Sequence, residues 1–179
     1  AGGSAMVALA DANLTPVDIA LAGQWAEHNY VGTNSGIMDQ FVSALGKKGH
    51  ALLIDCRSLE SQPVALELKD YQLAICNTGV KHELASSAYN TRRSECERGV
   101  ETLQKYLPQI RSLRDVSLID FVRLENLLPP DIRKRCRHVI GENARTLSFV
   151  RSLESGDINQ AGELFRLSHE SLRDDYEVS

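Results

Sequence analysis

The feature that most constrains this chain is the stretch Ala26-Glu27-His28-Asn29-Tyr30-Val31-Gly32-Thr33-Asn34-Ser35-Gly36-Ile37-Met38-Asp39-Gln40-Phe41, set between two segments of helical apolar period. It puts two carboxylates, a histidine and two glycines into a short turn, so polar groups crowd together where a chain would otherwise only reverse direction. Downstream, Ile37, Met38, Phe41, Val42 and Leu45 recur at helical spacing and Gly46 and Gly49 close the segment, which predicts a helix over residues 36–45. Asp39 falls in its first turn, away from the apolar stripe, where unpaired backbone amides favour a carboxylate. On spacing alone this is an ordinary helix-start residue. At a glycine-lined mouth the same carboxylate can accept or orient the proton of a substrate hydroxyl.

Upstream, Thr15 as N-cap, Pro16 at the first helical position and Asp18 in the first turn predict a helix running to about residue 29. Ile19, Ala20, Gly23, Ala26 and Tyr30 lie along one of its sides. Glu27 then sits near the helix C-terminus, where the macrodipole disfavours a carboxylate, so a neighbouring cation is expected.

Charge and cysteine usage narrow the class. The net charge is -4 from 20 basic and 24 acidic residues, which gives no general field to attract nucleic acid or an anionic membrane. No apolar run approaches the roughly eighteen residues that span a bilayer. Cys56, Cys76, Cys96 and Cys136 form no C-x-x-C pair and follow no secretory leader, which fits neither a zinc cluster nor a disulfide-dense module. Reduced, mostly buried thiols in a cytoplasmic protein are expected.

The rest of the chain reads as α+β. Residues 6–10 are helical. Three short strands follow at residues 51–55, 63–68 and 71–76, the middle one alternating Val64, Leu66 and Leu68 on one face and the outer two reading as central. Lys69-Asp70 marks the change of domain. A long helix is predicted over residues 84–106, with Arg92, Arg93, Glu95, Glu97 and Arg98 as a solvated face of i,i+3 and i,i+4 pairs. Tyr89 stands in its first turns, where a hydroxyl can hydrogen-bond a sugar while the ring covers an apolar patch. A short helix over residues 118–128 ends at Pro129-Pro130. A long one follows with Ile132, Cys136, Val139, Ile140, Asn143, Leu147 and Val150 on its inner face, until Gly156-Asp157 breaks it. A last helix carries Ala161, Leu164, Phe165 and Leu167. His138 and His169 are too far from other ligand candidates to argue a site, so a structural role is expected for both.

The string Gly36-Ile37-Met38-Asp39-Gln40-Phe41, preceded by Ala26-Glu27-His28, closely resembles the central motif of galactokinases, in the GHMP small-molecule kinase superfamily. Where that pattern usually has Pro-Cys, this chain has Asn34-Ser35. Asp55-Cys56-Arg57-Ser58-Leu59-Glu60 also resembles the family, as do the run from Val80 to Arg93, Arg137-His138-Val139-Ile140 and the segment from Ser168 to Ser179, so the likeness covers nearly the whole chain. It implies a GHMP-kinase-like two-domain architecture: helices and short antiparallel strands, then a mainly helical half. Residues 1–69 would belong to the N-terminal domain and 70–179 to the C-terminal domain.

The resemblance implies ATP-dependent phosphorylation of galactose at its C1 hydroxyl, by a cytoplasmic enzyme that is monomeric at full length. It gives Asp39 the catalytic role and Gly36, Asp39 and Tyr89 the sugar. Glu27 would hold Mg²⁺ beside the nucleotide phosphates, and Lys81 would lie on the phosphate side. Many family members have Glu before the Tyr where this chain has Ala88. The family's N-terminal sugar motif, its Gly/Ser-rich phosphate loop, its catalytic Arg and its C-terminal glycine-rich motif are not found in the sequence. A central portion that does not catalyse alone is therefore expected. Two other readings remain: a related kinase for another sugar such as N-acetylgalactosamine, and a non-catalytic galactokinase-like sugar sensor.

Overall fold

Three α-helix starts among the described residues are written by short-range caps. The Asp18 amide donates to Thr15 Oγ1 at 3.2 Å while the Thr15 amide and hydroxyl donate to Asp18 Oδ2 at 2.8 and 2.7 Å, a reciprocal capping box with Pro16 at the first position. Ser117 and Asp157 cap two later helices through the amides of Asp120 and Gln160, both at 3.0 Å. The computed structural model describes residues 2–77 and 85–178, apart from the side chains of residues 85–88. Among them are seven α-helices: α1 (Gly2–Leu9), α2 (Pro16–Ala26), α3 (Met38–Leu45), α4 (Ala85–Gln104), α5 (Leu118–Leu124), α6 (Pro130–Ser155) and α7 (Ile158–Ser171). The strands β1 (His50–Ile54) and β2 (Ser61–Ala65) pair antiparallel in the register His50↔Ala65 to Ile54↔Ser61. This is the expected α+β composition. The chain divides into two units, Ala1–Tyr89 and Asn90–Ser179.

In the first unit, Ala20, Ile37 and Phe41 are buried where α2 packs on α3, flanked by Val17, Leu21, Leu45 and Ile54. Gly23 permits the approach, since a Cβ there would lie 3.1 Å from Gln40 Cγ. After Ala26 the helix widens into a π-helical turn over Glu27–Val31, and Gly32 closes it at φ 75°, the left-handed region open to glycine. Val64 is buried and Leu66 and Leu68 are half-buried, as their alternation predicts, although β2 itself ends at Ala65.

The third expected strand does not form: residues 71–76 are irregular and exposed, with Ile75 at 92% exposure. A continuous apolar run becomes a central strand only between two neighbouring strands, and among the described residues the sheet consists of β1 and β2. Two of the thiols expected to be buried, Cys56 and Cys76, are exposed on these non-core segments, whereas Cys96 is half-buried and Cys136 fully buried; all four are free. Burial pushes the Cys136 thiol up to about 12.

In the second unit, Leu103, Leu107, Ile110, Phe121, Leu128, Ile132, Cys136 and Ile140 form one core. Gly99 sets the crossing of α4 over α6. A Cβ there would stand 2.3 Å from Cys136 Sγ and 3.3 Å from Ile132 Cγ2. Pro130 opens α6 and Gly156, at φ 74°, ends it.

The inner face of α6 departs from its periodicity beyond Ile140. Asn143 and Leu147 are exposed, while Arg135, His138 and Ser152 are buried. Arg135, only 3% exposed, donates to Glu95 Oε2 at 2.9 Å, to Glu177 Oε2 at 2.7 Å and to the Asp175 carbonyl at 2.5 Å. Arg92 joins this cluster through Glu95 at 3.0 Å and the Tyr176 carbonyl at 2.7 Å. The charged face of α4 is therefore only partly solvated: Arg93 and Glu97 pair in the open at 3.2 Å, but Arg92 and Glu95 turn inward. His138 is structural, as expected. Its Nδ1 lies 3.0 Å from Ser171 Oγ, its ring packs on Tyr176 at 4.5 Å, and burial holds its pKa below that of an ordinary histidine.

Candidate functional site

The polar turn between α2 and α3 is organised around Ser35, all of whose hydrogen-bonding groups are used. Its amide donates to the Thr33 carbonyl at 2.8 Å. Its carbonyl lies 2.8 Å from His28 Nε2 and accepts from Gln24 Nε2 at 3.2 Å. A carbonyl can only accept, so His28 carries its proton on Nε2 in this arrangement. The Ser35 hydroxyl donates to Glu27 Oε2. Gln24, Glu27 and His28 reach one residue because positions i, i+3 and i+4 share a helix face, and the π-helical turn carries that face across the end of α2.

The next amide extends the network. Gly36 N–H donates to Tyr89 Oη at 3.1 Å, across 53 residues of sequence. Having accepted that bond, the Tyr89 hydroxyl keeps its own hydrogen for another acceptor. A Cβ at Gly36 would stand in ordinary van der Waals contact with Tyr89 Oη at 3.8 Å. Asp39 follows in the first turn of α3 and is exposed, on the side of the helix opposite the buried Phe41 and Ile37.

The structure thus joins Glu27 to Ser35 and Gly36 to Tyr89, with Asp39 three residues beyond Gly36. Among the described residues the Ser35 hydroxyl offers the Glu27 carboxylate a neutral donor at the helix end. Lys81 lies outside the described residues. The roles of Gln24, His28 and Ser35 escaped the sequence reading, although the i,i+4 spacing of Gln24 and His28 was visible in it. Among the described residues no group of three or more His, Cys, Asp or Glu side chains is placed to hold a metal by itself, and no helix is long and apolar enough to cross a membrane. An open cleft of about 490 Å³ in the second unit is bordered by Arg137, Arg145 and Asp175. Arg137 pairs there with Asp175 and Arg145 with Glu142, so its charges are largely answered internally.

Comparison with known proteins places this geometry. The family description "GHMP kinases N terminal domain" matches residues 1–47, which include Glu27, Ser35, Gly36 and Asp39. Galactokinase of Chloroflexus aurantiacus is 48% identical over 167 residues, 93% of this chain and 43% of that relative. Residues 1–47 belong to the GHMP kinase family. A second relative, the galactokinase of Chloroflexus aggregans, is 47% identical over 167 residues, again 93% of this chain and 43% of the relative. The crystal structure of Lactococcus lactis galactokinase complexed with galactose superposes with a TM-score of 0.94 at 35% identity, covering 99% of this chain and 46% of that one. The chain therefore spans less than half the length of the galactokinases it matches.

Proposed function

We propose that the protein is a galactokinase, which transfers the γ-phosphoryl group of ATP to the C1 hydroxyl of galactose. The observation that carries this reading is the hydrogen bond from Gly36 to Tyr89 beside Asp39. It joins two of the residues that the resemblance gives to the sugar, three positions before Asp39, in a chain whose fold matches an enzyme crystallised with galactose. Residues 1–69 fall to the N-terminal domain of that architecture and residues 70–179 to the C-terminal domain, in a monomeric cytoplasmic enzyme.

In this mechanism the Asp39 carboxylate orients the C1 hydroxyl and takes its proton as the C1 oxygen bonds to the γ-phosphorus. The bond from that phosphorus to the β,γ-bridging oxygen breaks, and ADP departs with its electron pair. Such transfers depend on positioning and charge neutralisation more than on covalent chemistry. The Tyr89 hydroxyl donates to a sugar oxygen and its ring covers an apolar face of the sugar.

Glu27 fits a role toward Mg²⁺. That ion is usually held by one or two carboxylates together with substrate phosphates and water, and Glu27 and the Ser35 hydroxyl present only hard oxygen donors. When bound, the ion would neutralise charge on the phosphates.

The test is ATP-dependent phosphorylation by the full-length protein with galactose, N-acetylgalactosamine and other hexoses. Preferred turnover of galactose is expected. Preference for N-acetylgalactosamine would reassign the substrate, and sugar binding without turnover would make the protein a sensor.

A further inference from the structure

The carbonyl of Ser35 and the amide of Gly36 belong to the same planar peptide group, and both of its ends are gripped. The oxygen end is held by His28 at 2.8 Å and Gln24 at 3.2 Å, the nitrogen end by the Tyr89 hydroxyl at 3.1 Å. A planar peptide rotates as one body. Any rotation that releases the carbonyl from α2 therefore also swings the N–H away from Tyr89. The serine side chain cannot substitute for this hold, because its hydroxyl is committed to Glu27 and its own amide to Thr33.

We infer that Gln24 and His28 are positioning residues for sugar recognition: by holding the Ser35 carbonyl they fix the peptide that joins Ser35 to Gly36, and through its N–H they aim the Tyr89 hydroxyl. The chain of bonds runs one way. Gln24 and His28 donate to the carbonyl, the amide donates to Tyr89 Oη, and the Tyr89 proton is left pointing outward to a substrate acceptor. Successive hydrogen bonds in such a chain polarise one another, so a firm hold on the carbonyl also makes the amide a better donor. Neither Gln24 nor His28 touches the sugar in this account; both act through the backbone. Asp39 stands on α3 and is outside this chain of bonds, so the effect falls on sugar binding rather than on phosphoryl transfer.

The inference rests on the galactokinase reading, and the test separates the two. Steady-state constants are measured for the full-length wild type, His28→Leu, His28→Gln, the double variant Gln24→Leu/His28→Leu, Tyr89→Phe, and Tyr89→Phe combined with that double variant. The double variant is expected to raise the galactose KM on the order of tenfold, the worth of one to two hydrogen bonds, with the ATP KM within about twofold of wild type. His28→Gln, which keeps an N–H donor, should hold the galactose KM within about threefold of wild type and below that of His28→Leu. Adding Tyr89→Phe to the double variant should change the galactose KM by less than about twofold, because the link it removes is already broken.

An unchanged galactose KM in the double variant, or effects that multiply in full when Tyr89→Phe is added, would overturn the inference while leaving the galactokinase reading in place. A wild type that phosphorylates no galactose would remove both. If the double variant does not fold, the comparison of His28→Leu with His28→Gln decides alone. Equal galactose KM values for that pair count against the inference, and a higher value for His28→Leu counts for it.

Discussion

The same substitution, glycine to alanine, is expected to have opposite signs at two helical positions. At Gly99 in α4 the new methyl would lie 2.3 Å from Cys136 Sγ and 3.3 Å from Ile132 Cγ2, and Cys136 is completely buried, so neither group has space to retreat into. Over-packing of this kind costs about 1–3 kcal/mol, and a 2.3 Å approach to a fixed neighbour belongs at the upper end. Alanine recovers about 1 kcal/mol of helix propensity. The net effect is a loss of about 2 kcal/mol, or a fall in melting temperature of about 4–8 °C at the 2–4 °C per kcal/mol typical of this chain length. At Gly162 in the exposed face of α7 a Cβ meets nothing within 4 Å, so only the propensity gain remains and the melting temperature should rise by about 2–4 °C. Thermal unfolding followed by circular dichroism measures both. Cys136→Ala in the Gly99→Ala background should recover part of the loss, because it removes the atom that is struck. A Gly99→Ala protein as stable as its parent would refute the claim that the α4 backbone packs directly on the Cys136 and Ile132 side chains at this glycine.

Three further outcomes follow from the same physics. His138 is kept neutral by burial, with a folded-state pKa below the ordinary value of about 6.5, so the unfolded chain binds the proton more readily. Its contribution to stability is full above about pH 6.5 and is lost as pH falls from there through the folded pKa. His138→Phe should flatten that part of a melting-temperature profile between pH 7.5 and 5.5. Arg135→Leu strips Glu95 and Glu177 of their shared cation; a loss of about 3 kcal/mol is expected, the lower end for a broken buried pair because Glu177 is half-exposed, read by urea denaturation. Thr15→Ala removes the α2 cap and should cost about 1 kcal/mol, measured the same way.

What the sequence revealed and what it hid divide by range. The Thr15-Pro16-Asp18 start, the Pro130 start and the Gly156 stop involve partners within a few residues, and each appears where the chain predicts it. The strand expected at residues 71–76 fails because an apolar run says nothing about whether an edge is available to pair with it. Arg135 went unnoticed because its burial depends on Glu95, 40 residues earlier, and Glu177, 42 residues later. Nothing beside it in α6 marks it as inward. Leu147 was over-read by extending a period beyond the elements that cover it. In the site, the literal motif gave Glu27, Gly36 and Asp39, and resemblance added Tyr89. The grip on Ser35 needed the loop to fold back on α2 before the shared face of Gln24 and His28 had meaning.

The central claim is that this polar turn serves phosphoryl transfer to a sugar, and Asp39→Asn in the full-length protein tests it most directly. The change is isosteric and exposed, and it replaces an acceptor-only carboxylate with an amide that also donates. Galactose turnover should fall by about 10²–10⁴-fold, the usual worth of a positioned general base, while ATP affinity and melting temperature stay close to the parent's. Near-normal galactose turnover in that variant would contradict the account and leave Asp39 as a helix-start residue.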